Sequence, residues 1–381
     1  MIEPTSKLPQ VGTTIFTTIN QLARAHNAIN LSQGFPNFDP DPELLELVSE
    51  AFKKGHNQYA PMQGVLSLRE AISEKIERLY GHYYHPESEI TITAGATQAI
   101  FTTIAAFIRP EDEVIVIEPA FDCYEPAISL FGAKSIPLPL EGNDFKMNWS
   151  AFRSTISPKT KMVIINTPHN PTGTIWSEND MLQLQEILRD TNIILLSDEV
   201  YEHIVFDGEL HESVAKYPDL AARSVICSSF GKTFHATGWK VGYCVAPKPL
   251  MLEFQKVHQF NVFSVNHAMQ IALAEYLKNP QHYVNLGGFY QEKRDVFLNT
   301  IKGSRFKMVP SAGTYFQLLD YSDITNEKDT VFAERLIKEH KLASIPVSVF
   351  CKADYDKKFL RFCFAKTNDV LEKASEILNS I

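Results

Sequence analysis

The chain has 381 residues, 36 basic against 45 acidic side chains for a formal net charge of −9, and a hydrophobic content of 44%. That balance excludes disordered and fibrous classes, and with no Lys/Arg-rich block it argues against a nucleic-acid partner. The length exceeds what one hydrophobic core supports, so two domains are predicted.

The opening "MIEPTSKLPQVG" has no apolar stretch of the signal-peptide kind, and no apolar run approaches the roughly 20 residues of a membrane span, so a cytoplasmic protein with no membrane partner is expected. The turn-rich "AINLSQGFPNFDP" that follows reads as an N-terminal arm. Five short runs rich in Val and Ile come next: "ITIT" from 90, "VIVI" from 114, "MVII" from 162, "NIILL" from 192 and "SVIC" from 224. Their continuous hydrophobicity predicts strands covered on both faces, as in a parallel sheet flanked by helices. A helix is predicted in "SENDMLQLQEILRD", with Ser177 as its N-cap and Leu182, Leu184 and Leu188 as its apolar stripe. "VGYCVA" from Val241 follows too closely for a crossover helix and should pair antiparallel. Beyond about residue 280 come a long charged helix, "GTYFQLLDY", "LASIPVSVF", "FLRFCFAK" and a last helix, which read as a smaller α+β unit completed by the N-terminal arm. The expected division is a large unit over 36–280 and a small one made of 1–35 with 281–381. The five cysteines (Cys123, Cys227, Cys244, Cys351, Cys363) show no C-x-x-C spacing; they read as buried, inert thiols, and no metal is expected.

In open α/β sheets ligands bind beyond the carboxyl ends of the strands. Gly95, Ala96 and Thr97 follow the first run and open a helix; Phe121 follows the second; Asn170, in "NTPHNPTG", follows the third. Asp198 and Tyr201, in "SDEVY", follow the fourth, and Ser229, Lys232 and Lys240, in "SSFGKTFHATGWKVGY", the fifth. Singly, Asp198 reads as a helix cap, Phe121 as core and Asn170 as a turn former. Together they meet the needs of pyridoxal phosphate. Lys232 would supply the amine for its aldehyde, and Asp198 the buried carboxylate that keeps the pyridine nitrogen protonated. The helix N-terminus at Gly95-Ala96-Thr97, with Ser229 and Lys240, suits the phosphate. Phe121 suits the ring face, and Asn170 and Tyr201 the ring hydroxyl.

"NTPHNPTG", "SDEVYEH", "SSFGKTFHATGWKVGY" and "LRFCFAK", in this order, resemble the fold-type I class I aminotransferases. "LSQGFPNF", "NQYAPMQG" and "EPAFDCYEPAI" resemble the subgroup of methionine and kynurenine/glutamine aminotransferases, which includes cysteine-conjugate β-lyases. The resemblance runs from about Lys7 to the C-terminus. It implies a mostly parallel seven-stranded sheet and ping-pong transamination between an amino acid and a 2-oxo acid, with Lys232 moving the proton. It also implies that Arg361 binds the substrate α-carboxylate, although Arg361 by itself would read as a surface ion pair. Gly34 is implied to bring backbone close to the substrate. Tyr59 is implied to reach the phosphate of a neighbouring subunit, and therefore a homodimer with shared sites. Lys240 stands where many of the wider class carry arginine, and the resembled subgroup also has lysine there. Phe16 falls where the subgroup places an aromatic over the substrate side chain, with Phe263 as a second candidate, and the resemblance therefore implies a large apolar amino acid, methionine or aromatic ahead of glutamine or kynurenine. A carbon–sulfur β-lyase is the alternative within the same chemistry. From other classes, Ser229 to Lys232 also satisfies the S-x-x-K of serine acyl-enzymes, without the K-T-G or S-D-N that should accompany it; a non-catalytic binding protein on the same scaffold is the third reading.

Overall fold

The computed structural model describes residues 2–3, 5–352 and 356–381. Seven strands form the main sheet: β1 (Ile90–Thr93), β2 (Glu113–Glu118), β3 (Lys134–Pro139), β4 (Thr160–Asn166), β5 (Ile194–Asp198), β6 (Ser224–Ser229) and β7 (Gly242–Val245). Their order is β1-β7-β6-β5-β4-β2-β3. β7 runs antiparallel to both neighbours and every other pair is parallel. The cause is local: only one helical turn, Phe230–Thr233, and a 3₁₀ turn, Thr237–Trp239, separate β6 from β7, too little chain to cross the sheet.

β1, β5 and β7 are buried along their whole length, as their continuous apolar runs predict. β3 was invisible to that reading. It is an edge strand of mixed burial, with Ser135 and Leu138 buried and Pro137 and Pro139 exposed, a place where a missing N–H costs no ladder hydrogen bond. Ser177 does cap the helix Glu178–Leu188, in a reciprocal capping box with Asp180. The buried stripe of that helix differs from the expected one: it runs through Met181, Leu184 and Leu188, whereas Leu182 is exposed. Positions 181, 184 and 188 share a helix face, and 182 is turned about 100° away from it. Cys227, Cys244 and Cys363 are buried thiols, but Cys123 and Cys351 are only half-buried, contrary to expectation.

A second sheet has the order β9-β10-β8, all antiparallel, from β8 (Phe316–Asp320), β9 (Ile345–Pro346) and β10 (Phe359–Cys363). Helices Leu286–Thr300 and Asn368–Asn379 pack together beside it. The last one buries Leu371, Ala374 and Leu378 at helical spacing, each leucine stabilising the fold by roughly 2 kcal/mol. Helix Ile15–Ala25, capped by Thr14, buries Ile19 and Ala23 in a cluster with Ile337, Ala343, Ile345 and Phe350. Ile29–Asn30 then pairs parallel with Leu342–Ala343, and Leu31 accepts a hydrogen bond from the Cys363 amide. These bonds hold the arm where Phe16 and Gly34 reach the sheet's active edge. No helix among the described residues is long and apolar enough to cross a membrane.

Candidate active site

At the carboxyl ends of β1, β4, β5 and β6 a cavity of about 320 Å³ opens, roofed by the N-terminal arm and by β8 and β10. β6 ends at Ser229, and the tight turn Phe230–Thr233 aims Lys232 into it. Lys232 Nζ donates to the Gly34 carbonyl at 3.1 Å and to the Tyr315 hydroxyl at 2.9 Å. Tyr315 in turn donates to the same carbonyl at 2.6 Å. Gly34 has no room for a side chain, since a Cβ there would lie 2.8 Å from Phe316 Cζ. Burial draws the Lys232 ammonium down to about 8, and the cations of Arg361 and Lys240 act in the same direction. A substantial fraction of this amine is therefore neutral near pH 7 to 8, the form that can act as nucleophile or base.

Asp198 closes β5 and is buried. Its Oδ2 accepts from the Tyr124 hydroxyl at 2.6 Å, and its Oδ1 from the Val200 amide at 3.3 Å. Burial raises its carboxyl to about 6, against those two hydrogen bonds. The backbone carbonyl of Asp198 accepts from Asn166 Nδ2 at 2.9 Å, and the Asn170 amide donates to Asn166 Oδ1 at 2.8 Å. One asparagine thus ties the Asn170 loop to the strand end that carries the carboxylate. The cap reading of Asp198 is half right, because it caps a turn while its carboxylate lines the cavity.

The opposite end is built for an anion. Gly95, at φ 78°, begins the helix Ala96–Phe107, and no side chain caps it. Ala96, Thr97, Ser229 and Lys240 line the cavity around this helix start. The Lys240 ammonium lies 3.4 Å from where a Cβ on Gly95 would be, so a larger residue would crowd it. Free amides, the helix dipole and a cation converge on one spot.

Arg361 projects from β10 and is 1% exposed, so it is no surface ion pair. One guanidinium nitrogen donates to Asn170 Oδ1 at 2.6 Å and the other to the Ser32 carbonyl at 3.2 Å. The cation lies 3.9 Å from the Phe316 ring centre and 5.5 Å from that of Phe16. Its Nε is buried with no hydrogen-bond partner, and burial lowers the group to about 10. A buried, unpaired guanidinium N–H beside a cavity is the mark of a site for a carboxylate.

Phe121, Tyr201 and Phe16 also line the cavity. Two expected residues do not. Phe263 is 45% exposed and packs edge-on against Tyr59, which is 82% exposed, with ring centres 5.4 Å apart; neither lines the cavity of its own chain. Phe263 thus lies with Tyr59 away from the cavity of its own chain. Its backbone has a φ of +66° just past helix Lys248–Asn261. Several groups escaped the sequence reading: Asp122, Asn166, Gln33 and Phe316, which line the cavity, and Tyr124 and Tyr315, which bond to Asp198 and Lys232 behind it. Tyr124 and Asn166 each stand within a few residues of a predicted one, at the end of the same strand, and a wider census there would have found them. Tyr315 and Phe316 carry no such signal.

A buried amine, a buried carboxylate under hydrogen-bond control, an uncapped helix start with a cation and an orphaned guanidinium N–H define a site for an amino acid and for a phosphate-bearing aldehyde cofactor. The donor set fits pyridoxal phosphate: Lys232 for the aldehyde, Asp198 for the ring nitrogen, and Gly95, Ala96, Thr97, Ser229 and Lys240 for the phosphate.

Comparison with known proteins agrees. Residues 26–378 match the family "Aminotransferase class I and II". The methionine aminotransferase of Escherichia coli is 48% identical over 379 residues, spanning 99% of this chain and 98% of that protein. A crystal structure from Escherichia coli, described as identifying a methionine aminotransferase function, superposes with a TM-score of 0.98 at 48% identity, covering all of both chains. The bovine kynurenine–oxoglutarate transaminase 3 is 33% identical, spanning 96% of this chain and 88% of that protein. The chain belongs to the class I and II aminotransferases, pyridoxal-phosphate enzymes that exchange amino groups between amino acids and 2-oxo acids.

Proposed function

We propose that this aminotransferase takes a large apolar amino acid as donor, methionine first and aromatic amino acids next. The observation that carries the reading is the aromatic wall around the guanidinium of Arg361: Phe16, Phe316 and Phe350 lie within 5.5 Å of it. A substrate carboxylate held by Arg361 leaves its side chain against Phe16 and the arm, where an apolar chain gains burial and a second carboxylate gains nothing. The 48% identity to a methionine aminotransferase supports the same choice.

Bound pyridoxal phosphate supplies the electrophilic carbon and the electron-withdrawing ring that make the substrate Cα–H acidic. The chain does the rest. Arg361 and Asn170 would orient the carboxylate, Asp198 would hold positive charge on the ring nitrogen, Tyr201 would serve the ring hydroxyl, and Phe121 would cover the ring. Lys232 Nζ would take the proton from the substrate Cα and deliver it to the former aldehyde carbon of the cofactor, for which its lowered pKa suits it. Gly34 and Tyr315 hold Nζ in place through the bonds described above.

The same reading makes the enzyme a homodimer. Tyr59, exposed and remote from its own cavity, would reach the phosphate of the partner's site, with Phe263 beside it. The division into 36–280 and 1–35 with 281–381 belongs to this reading, supported by the pairing of Ile29–Asn30 with Leu342–Ala343. The test is kcat/KM for a panel of amino donors, each with several 2-oxo acids. Methionine and phenylalanine should lead; aspartate or glutamate ahead of both would sink the substrate assignment. Sedimentation at micromolar concentration should give a dimer.

A further inference from the structure

Lys232 Nζ donates to two oxygens, the Gly34 carbonyl at 3.1 Å and the Tyr315 hydroxyl at 2.9 Å, and has no third acceptor among the described residues. The Tyr315 hydroxyl carries a single hydrogen, and the Gly34 carbonyl takes it at 2.6 Å. Towards Nζ both oxygens can therefore only accept. A neutral amine has two N–H groups and one lone pair. With both N–H groups turned to these oxygens, the lone pair is left on the remaining side of the nitrogen. That side is the cavity, because Lys232 lines it while Tyr315 lies behind it with no exposed surface.

The hydroxyl itself is fixed. Tyr315 stands just before β8, and its carbonyl accepts from the Phe364 amide at 3.0 Å, just past β10. Its ring packs edge-on against Tyr201, with centres 5.2 Å apart, and against Phe316 at 5.0 Å; Tyr290 closes a third side at 5.6 Å. Burial raises the phenol well above its ordinary range, so it stays protonated and carries no proton of its own to the reaction. The contact joins three segments that are far apart in the chain: the turn after β6, the arm at Gly34 and the start of β8.

We infer that Tyr315 is a positioning residue which, with the Gly34 carbonyl, fixes the rotation of the Lys232 amine so that its one free valence faces the cavity. The neutral amine presents its lone pair there, and the ammonium its third N–H. A group that takes a proton from the substrate Cα and delivers it to a nearby carbon needs both on the same side. Without the hydroxyl, Nζ keeps only the bond to Gly34, and both its position and its rotation loosen. This role of Tyr315 rests on Lys232 being the proton carrier.

The test is the single-turnover half-reaction of the Tyr315→Phe holoenzyme with methionine and with methionine deuterated at Cα. Phenylalanine keeps the ring and its packing and removes only the oxygen. The rate at saturating methionine should fall roughly 10- to 100-fold, the cost of a misplaced reacting group, with a deuterium effect at least as large as in the wild type. The half-saturating concentration should stay within about threefold of the wild-type value. A fall of less than about threefold, a deuterium effect that shrinks, or a half-saturating concentration that rises as much as the rate falls overturns the role. A second measurement needs no turnover: the pH dependence of Lys232 carbamylation by cyanate in the cofactor-free chain, read by peptide mass spectrometry. Its midpoint should lie near 8 in the wild type. In Tyr315→Phe it should move down by roughly half to one pH unit, because the lost oxygen accepts more strongly from the ammonium than from the neutral amine. A midpoint that stays or moves up overturns the role. Lys232→Ala keeps the two readings apart: if that variant retains turnover, Lys232 is not the proton carrier, and if it is inactive while Tyr315→Phe behaves as wild type, only the role of Tyr315 fails.

Discussion

Replacing Arg361 by lysine tests the carboxylate site most directly. The guanidinium makes two hydrogen bonds inside the protein, to Asn170 and to the Ser32 carbonyl, and keeps its buried Nε–H free. An ammonium in the same place can hold one of these partners but cannot keep the planar fork or the free N–H. The substrate therefore loses one to two charge-assisted hydrogen bonds, each about 1.5–3 kcal/mol. Taking a net loss of about 2–4 kcal/mol, kcat/KM for an amino acid should fall roughly 30- to 1,000-fold. The assay is the single-turnover half-reaction of the holoenzyme, followed by cofactor absorbance. Methionine and 2-phenylethylamine, which has no carboxylate, are run side by side. The fall should appear for methionine and be almost absent for the amine. A fall of less than about threefold with methionine, or an equal fall with both, refutes the reasoning.

Four other outcomes are expected. Lys232→Ala should lose the cofactor's visible band and its turnover, with no rescue by added pyridoxal phosphate; many turnovers from the purified variant would exclude Lys232 as the acting amine. Lys240→Ala should chiefly weaken cofactor retention, so that excess pyridoxal phosphate restores most activity. Asp198 illustrates a cost of function: its folded pKa of about 6 lies above the ordinary 3.8, so burying its charge destabilises the cofactor-free protein above pH 6 and not below about pH 4. Cofactor-free Asp198→Asn should thus gain up to about 3 kcal/mol at pH 7 in urea unfolding, a gain that disappears towards pH 4, while transamination is lost. A gain independent of pH would contradict this account. Tyr124→Phe removes the hydroxyl 2.6 Å from Asp198, which should raise that carboxyl further and loosen cofactor binding at neutral pH, measured by equilibrium dialysis.

Much of the molecule follows from local sequence. Continuous Val/Ile runs mark strands buried on both faces, and the residues just past them are those that a parallel sheet brings to one edge. That is why Lys232, Asp198, Asn170 and the helix start at Gly95 could be placed around one cavity from the chain alone, and why Ser177 was legible as a cap. Strand β3 was not, because an edge strand with two prolines has neither the continuous nor the clean alternating pattern.

What needed the tertiary structure is whatever depends on contacts between distant segments. Arg361 reads as an exposed ion pair in "FLRFCFAK" and becomes a buried guanidinium lining the cavity only because Asn170, 191 residues earlier, and Phe316 close around it. Tyr124 is one more aromatic residue until folding brings it to Asp198, 74 residues on. Phe263 packs against Tyr59 apart from the cavity of its own chain, a placement its neighbours in sequence do not foretell. Hydrophobic periodicity and turn chemistry act over a few residues and are written in the sequence. The partner of a buried charge is chosen by packing, and no stretch of chain carries it alone.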